Sequence, residues 1–462
     1  MTARGIHETR TLLSHRNISV ADHVESVLTD IRKNNPELGA YVSVAADDAA
    51  QEASRKCDDL IGTLGPEAWR DHPLLGVTVS VKDLLQTQDL PTTRGSRLRN
   101  RRPRIDAPAV ARLRAAGAII IGKTTTSEYG WSASTVSPVA PPTRNPWAPD
   151  RTAGGSSGGA AAAVAAGLCS AALGTDGAGS IRIPSSFCGV VGFKPSFGRV
   201  PYVPAGADRL SHVGPIAGNV RDVRALTSVL AGPHRDDPDS GIGSFAPLRE
   251  PPGLRIGWLD FPGTSAEVRA ACERVLPILT AQGHRVEQMP NPFADPYPAL
   301  VDILAAAEAA GTPPEDEDDC DPGRLAVVRY GRTVSGASVL RAEETRLALR
   351  RRLASIMDCY EILAMPTVPI EPFAADAIAP PDAEDPNDLR WLSWAPASYP
   401  FNMTGQPALS LPVGFTKSGL PVGLQLVGPL GMDDLVLGAA ARIEADLGPL
   451  THLTDHAMKG QL

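Results

Sequence analysis

Apolar residues recur along this chain with two periods, and the two periods alternate. After Ser19, the residues Val20, Val24, Val27, Leu28 and Ile31 fall on one face of a helix, and Ser19 followed by Asp22 predicts its capped start. From Leu74 to Val81 the period shortens: Val77, Val79 and Val81 alternate as in a buried strand, and Lys82 closes the run. Asp106 is placed to cap a helix carrying Val110, Leu113 and Ala116; Gly117 ends it, and Ala118 to Ile121 begins a second buried strand. The rhythm returns in the second half. Leu254 to Phe261 reads as a strand, Thr264 with Glu267 as a helix start, Val268, Cys272, Val275 and Leu279 as its buried stripe, and Arg285 to Met289 as the next strand. Residues from about 300 to 395 are helical and irregular, with Leu340 to Tyr360 the clearest helix; strands at Ala408 to Phe415 and Leu420 to Val427 and a helix from Asp433 to Leu447 follow.

Helices alternating with buried strands predict an α/β fold with a wound sheet. Ligand sites in such sheets lie at the carboxyl ends of strands, which is where Lys82 stands. The longest apolar run, Ala160 to Leu173, is interrupted by Gly167, Cys169 and Ser170 and is too short for a membrane span, so it reads as a buried helix. The first residues, MTARGIHETRTLLSHRN, lack the apolar centre of a signal peptide.

Charge narrows the picture further. The net charge is −8, from 44 basic and 52 acidic residues, with no long basic stripe, which argues against direct nucleic-acid binding. The basic run Arg99 to Arg104 and the acidic run Pro314 to Asp321 both read as solvated loops. Six cysteines without C-x-x-C spacing predict neither a zinc site nor a disulfide framework, and fit reduced thiols in the cytoplasm.

The chemistry concentrates in two serine-glycine segments, GGSSGG (Gly154 to Gly159) and GTDGAGSIRIP (Gly174 to Pro184). Ser180 sits among small residues whose backbone N–H groups can converge on a developing oxyanion, with Gly177, Ala178, Gly179 and Ser180 itself as the candidate donors. Neither segment contains a histidine, so Lys82 is the candidate base of a serine–lysine arrangement. Lys123, which follows a second apolar run, is a near-identical decoy. GGSSGG also resembles a phosphate cradle, but Ala160 stands where a Walker loop needs lysine. It satisfies G-x-S-x-G as well, which would make Ser156 a hydrolase nucleophile with an acid and a histidine from among His212, His234, His284, His452 and His456. Asp176 and Arg182 read as braces of the Ser180 loop. The aromatic cluster Trp391, Trp394, Tyr399 and Phe401 either fills the core under a long loop or, together with Gly130 and Trp131, is the candidate lining of the substrate pocket, which would then be largely apolar and without a fixed charge.

Six blocks in order carry a resemblance: Leu74 to Ser96, Ala115 to Trp131, Arg144 to Gly159, Gly174 to Val200, Phe401 to Phe415, and Gly419 to Pro429. The chain resembles the amidase signature family, whose members hydrolyse carboxamides through an acyl-enzyme. The resemblance implies a large mixed, twisted sheet covered by helices on both faces. It implies Ser180 as nucleophile, Ser156 as bridging serine after a cis peptide bond, and Lys82 as base, with no cofactor and no metal. Two departures stand out: Ala178 where glycine is frequent, and Thr125 where asparagine is frequent. Because Lys82 and Ser180 must meet, residues 1–462 are expected to form one domain, with residues 1–18 as an extension and about 300–400 as a variable region shaping the pocket. The expected partner is a small-molecule amide, with no membrane; a homo-oligomer is left open. The alternative within the family is the glutaminase component of a tRNA-dependent amidotransferase. The segment AVVRYG (Ala326 to Gly331) lacks the longer Ser-Asn-containing stretch usual in those proteins, which favours a stand-alone amidase.

Overall fold

The computed structural model describes residues 5–98, 102–204, 206, 209–243 and 253–448. Its strands, in chain order, are β1 (Tyr41–Val44), β2 (Thr78–Lys82), β3 (Ile119–Thr124), β4 (Arg144–Asn145), β5 (Ala148–Thr152), β6 (Ala171–Asp176), β7 (Val191–Lys194), β8 (His212–Ala217), β9 (Arg255–Trp258), β10 (Arg285–Gln288), β11 (Ile362–Pro366), β12 (Ala408–Phe415) and β13 (Pro421–Val427). Eleven of them form one sheet in the order β1-β3-β2-β6-β8-β7-β12-β13-β11-β9-β10, while β4 and β5 pair apart. The sheet is mixed: β2 runs parallel to β3 and β6, β6 antiparallel to β8, and β12 antiparallel to β7 and β13.

Strand periodicity divides the core. Val79 and Val81 of β2 pack in one apolar cluster with Leu173 and with the Val220–Leu230 and Asp433–Leu447 helices. Ile119 and Ile121 of β3, Ala172 and Ile216 pack in another, with Val24, Val27 and Leu28 of the Val20–Leu38 helix and Ala160 to Ala163. Alternation therefore sends Thr78, Ser80 and Lys82 to the face opposite the valines, where all three are fully buried. A third cluster gathers the 300–400 region, including Leu300, Val327, Leu353 and Trp391.

Several elements differ from their sequence expectation. The buried helix foreseen over Ala160 to Leu173 is shorter: it spans Gly158–Ala165, and Gly167 takes a left-handed conformation (φ 65°) that turns the chain into β6. An all-apolar run carries no period to mark that break. Asp106 does not cap the Pro108–Ala115 helix; its carboxylate accepts from Gln88 N and Arg114 Nε instead. The next helix is capped by Ser265, accepting from Val268 N, rather than by Thr264. The long helix runs Gly336–Met357. The acidic stretch forms a short 3-10 helix over Pro314–Asp319, and Asp321 caps the Pro322–Gly331 helix. Of the basic run, residues 99–101 lie outside the described residues, as do His452 and His456. The 1–18 region contributes a helix, Ile6–Ser14, with Ile6 and Leu13 buried and Ile6 N donating to Asp222 Oδ2 at 2.9 Å. Among the described residues no helix is long and apolar enough to cross a membrane.

Candidate active site

The carboxyl ends of the parallel neighbours β2 and β6 lie side by side, and the GGSSGG loop enters the Gly158–Ala165 helix beneath them. The Lys82 ammonium nitrogen thereby lies 2.7 Å from Ser156 Oγ, 2.9 Å from Ser157 Oγ and 2.9 Å from Thr175 Oγ1. No carboxylate among the described residues touches it, and the side chain is fully buried. Burial pushes its pKa well below the ordinary lysine value, and the more distant negative charge of Asp176 only partly opposes this. Ser157 Oγ donates to Thr175 O at 3.0 Å, so toward Lys82 it can act only as acceptor.

Backbone shape brings Ser156 into this position. The Gly155–Ser156 peptide bond is cis. A Cβ on Gly155 would lie 2.0 Å from Ser134 O, so the loop has no room for a side chain there. Gly130 (φ 79°) faces Ser156 from the other side, where a Cβ would come within 3.0 Å of its Oγ.

Ser180 is half-buried, its carbonyl accepting from Ser157 N at 3.1 Å. Its loop is held by Asp176, whose carboxylate accepts from the N–H of Gly179 (2.7 Å) and Ile181 (3.1 Å). Gly179 thus differs from its expected role: its N–H points at Asp176. Behind Asp176 stands Arg182, fully buried, with all five N–H donors engaged. Nε and Nη2 reach Asp176 at 2.9 Å each, Nη1 reaches Ser398 O (2.8 Å) and Gln425 Oε1 (2.7 Å), and Nη2 also reaches Asn402 Oδ1 (2.6 Å). Burial alone would raise the Asp176 pKa, but Arg182 outweighs it and holds the carboxyl well below the usual range. Asp176 and Arg182 are braces of the loop, as their position in the sequence suggested.

Lys123 is equally buried but occupied otherwise. Its ammonium donates to Leu85 O (2.7 Å) and Thr92 Oγ1 (2.8 Å) and sits 3.3 Å from the buried Asp83 carboxylate. Burial lowers its pKa to about 8 against the pull of Asp83. We expect Lys123→Met, which strands the Asp83 carboxylate, to cost roughly 3–5 kcal/mol of stability. Thermal unfolding would register that loss, while the pH–rate profile keeps its shape.

His212 is no partner of Ser156. One ring nitrogen lies 3.2 Å from Lys194 Nζ and the other 3.3 Å from Asp176 O. His284 Nδ1 accepts from Leu254 N, and His234 Nδ1 from Asp236 N. The G-x-S-x-G reading therefore finds no histidine at Ser156 among the described residues, and β5, which precedes the loop, lies outside the main sheet.

An open cavity meets Ser156, Ser180, Gly177 and Ala178. Gly130, Trp131 and Trp391 line it, as their sequence context suggested. Trp394 and Tyr399 do not: Trp394 stacks on Phe187 at 6.1 Å and meets Phe373 edge-on, and Tyr399, with its hydroxyl donating to Asp295, packs on Tyr297. Phe401 is fully buried in the same cluster. Sequence reasoning missed, among others, Tyr129, Leu304, Glu308, Val327 and Leu392, which also line it. Leu304 and Glu308 stand one helical turn apart, a spacing that could have flagged them.

The Amidase family model matches residues 22–437. The chain belongs to the Amidase family. Among its relatives, the A subunit of the glutamyl-tRNA(Gln) amidotransferase of Syntrophobacter fumaroxidans is 35% identical, with 95% of this chain and 96% of that one covered. Among solved structures, a bacterial aryl acylamidase of the amidase signature enzymes superposes with a TM-score of 0.88 at 26% identity, covering 100% of this chain and 99% of that one. The A subunit of the glutamyl-tRNA(Gln) amidotransferase of Thermotoga maritima superposes with a TM-score of 0.73 at 27% identity, covering 92% and 91%.

Proposed function

We propose that this member of the Amidase family is a hydrolase of linear carboxamides, working through an acyl-enzyme on Ser180 with Ser156 and Lys82 as proton relay. The observation that carries the reading is the 2.7 Å contact between a fully buried, carboxylate-free lysine and Ser156, in the wall of the cavity that also holds Ser180. A neutral amine has two N–H bonds and one lone pair. Donating to Ser157 Oγ and Thr175 Oγ1 uses both N–H bonds and leaves the lone pair for the Ser156 hydroxyl.

In the first half of the cycle, Ser180 Oγ bonds to the amide carbon, its proton passes to Ser156 Oγ, and the Ser156 proton passes to Lys82. The N–H groups of Gly177, Ala178 and Ser180 hold the oxyanion, Gly179 being committed to Asp176. Collapse breaks the carbon–nitrogen bond, and the departing ammonia or amine takes the proton back through the same relay. Water then repeats the sequence on the ester, giving the carboxylic acid and free Ser180. We read the chain as one domain. Its six unpaired cysteines support a cytoplasmic setting.

A second reading, the glutaminase component of an amidotransferase, draws on the 35% identical relative. The cavity weighs against it: no lysine, arginine or histidine is among its described lining residues, so no cationic side chain there pairs with the α-carboxylate of glutamine. Ammonia release from a panel of aliphatic, aromatic and amino-acid amides tests the two. Turnover of simple amides by the purified chain supports the amidase. Turnover of glutamine alone, in a preparation that carries a second protein, would replace it.

A further inference from the structure

The cavity that meets Ser180 has one charged side chain in its described lining, the carboxylate of Glu308. The Tyr297–Gly311 helix presents Leu304 and Glu308 on one face. The Pro322–Gly331 helix presents Val327 to the cavity and, one turn earlier, Arg324 to Glu308, with Nε 2.8 Å from Oε2. Arg324 is buried and shared: Nη1 lies 3.5 Å from the fully buried Glu128 carboxylate, Nη2 donates to Thr312 Oγ1, and its Cζ lies 4.3 Å from the ring centre of Tyr129, another lining residue. A second guanidinium, Arg94, stands 5.9 Å from the Tyr129 ring but is not in the lining. One buried guanidinium thus serves two carboxylates, and the one that reaches the cavity is fixed in place.

We propose that Glu308 is a specificity-determining residue that selects amides whose acyl part carries an ammonium or a similar N–H-donating cation. The inference rests on the amide-hydrolase reading and adds the substrate class. In a primary amide the leaving group is ammonia alone, so whatever else fills the cavity belongs to the acyl part. Leu304, Val327 and Leu392 suit a methylene chain, and the faces of Trp131 and Trp391 tolerate a cation as well as an apolar group. This replaces the expectation, drawn from the aromatic cluster alone, of a pocket without fixed charge.

The test compares ω-aminoalkanamides with the unsubstituted alkanamides, from butanamide to heptanamide, on the full chain. At the best length, kcat/KM for the cationic member exceeds that of its neutral counterpart by about tenfold or more. In Glu308→Gln the ratio falls to about one, and Glu308→Asp restores part of it. Should Glu308→Gln fail to fold, inhibition of the unaltered protein by alkylammonium ions, with none by alkanoates of the same length, supports the same assignment. Hydrolysis of the neutral series with no cationic preference, or an unchanged ratio in a folded Glu308→Gln, overturns it while leaving the hydrolase intact. Hydrolysis of neither series, with no inhibition by either ion, overturns the underlying reading with it.

Discussion

Ser180→Ala is expected to lower kcat/KM on any amide substrate by about 10⁴-fold or more, because it removes the atom proposed to bond to the amide carbon. The fold should survive. Ser180 is half-buried, its link to the GGSSGG loop is a backbone carbonyl, and the Asp176–Arg182 brace that shapes its loop does not use its side chain. Unaltered thermal unfolding together with lost turnover is therefore the expected signature. A fluorophosphonate gives the covalent counterpart: Ser180 Oγ bonds to phosphorus, fluoride leaves, and peptide mapping locates the adduct on Ser180. An adduct on Ser156, or full activity in Ser180→Ala, would sink the assignment.

Lys82→Ala carries the second large effect, a loss in kcat of about 10²–10⁴-fold. The sign of its pH dependence follows from which protonation state works. In the proposed relay only the neutral amine accepts a proton from Ser156, so the rate is expected to climb as pH rises through the Lys82 pKa and then level off. Burial lowers that pKa, so the climb ends far below the pH at which an exposed lysine would place it. Burial lowers the Lys123 pKa as well, to about 8, and the two lysines are separated by substitution. The acidic limb should vanish from the residual activity of Lys82→Ala and persist in Lys123→Met. A limb that persists in Lys82→Ala would remove Lys82 from the relay.

Much of this architecture is legible in the sequence because periodicity survives wherever one face is buried. Val77, Val79 and Val81 announce β2 and place Lys82 at its end; Val20 to Ile31 announce the helix that covers β3. The relay itself is not written in any period. Lys82 and Lys123 follow similar apolar runs, and what separates them is the company of their ammonium groups: hydroxyls around one, Asp83 beside the other. Those neighbours come from strands and loops whose adjacency is a property of the sheet. The aromatic cluster divides between core and cavity for a related reason. Between 391 and 401 the chain is mostly turns, so neighbouring rings point in unrelated directions, Trp391 to the cavity and Trp394 to Phe187.

The reach of Arg182 has a consequence for when this enzyme becomes one. All three residues of the proposed relay are synthesised in the first 180 positions, yet the guanidinium that braces their loop waits for Ser398, Asn402 and Gln425. Until β12, β13 and the turn before them are in place, Asp176 keeps its bonds from Gly179, Ile181 and Arg182 but lacks Asn402, and Arg182 lacks all of its outer partners. A nascent chain still on the ribosome, or a fragment clipped ahead of residue 398, would carry every atom of the proposed relay without the outer contacts of its brace.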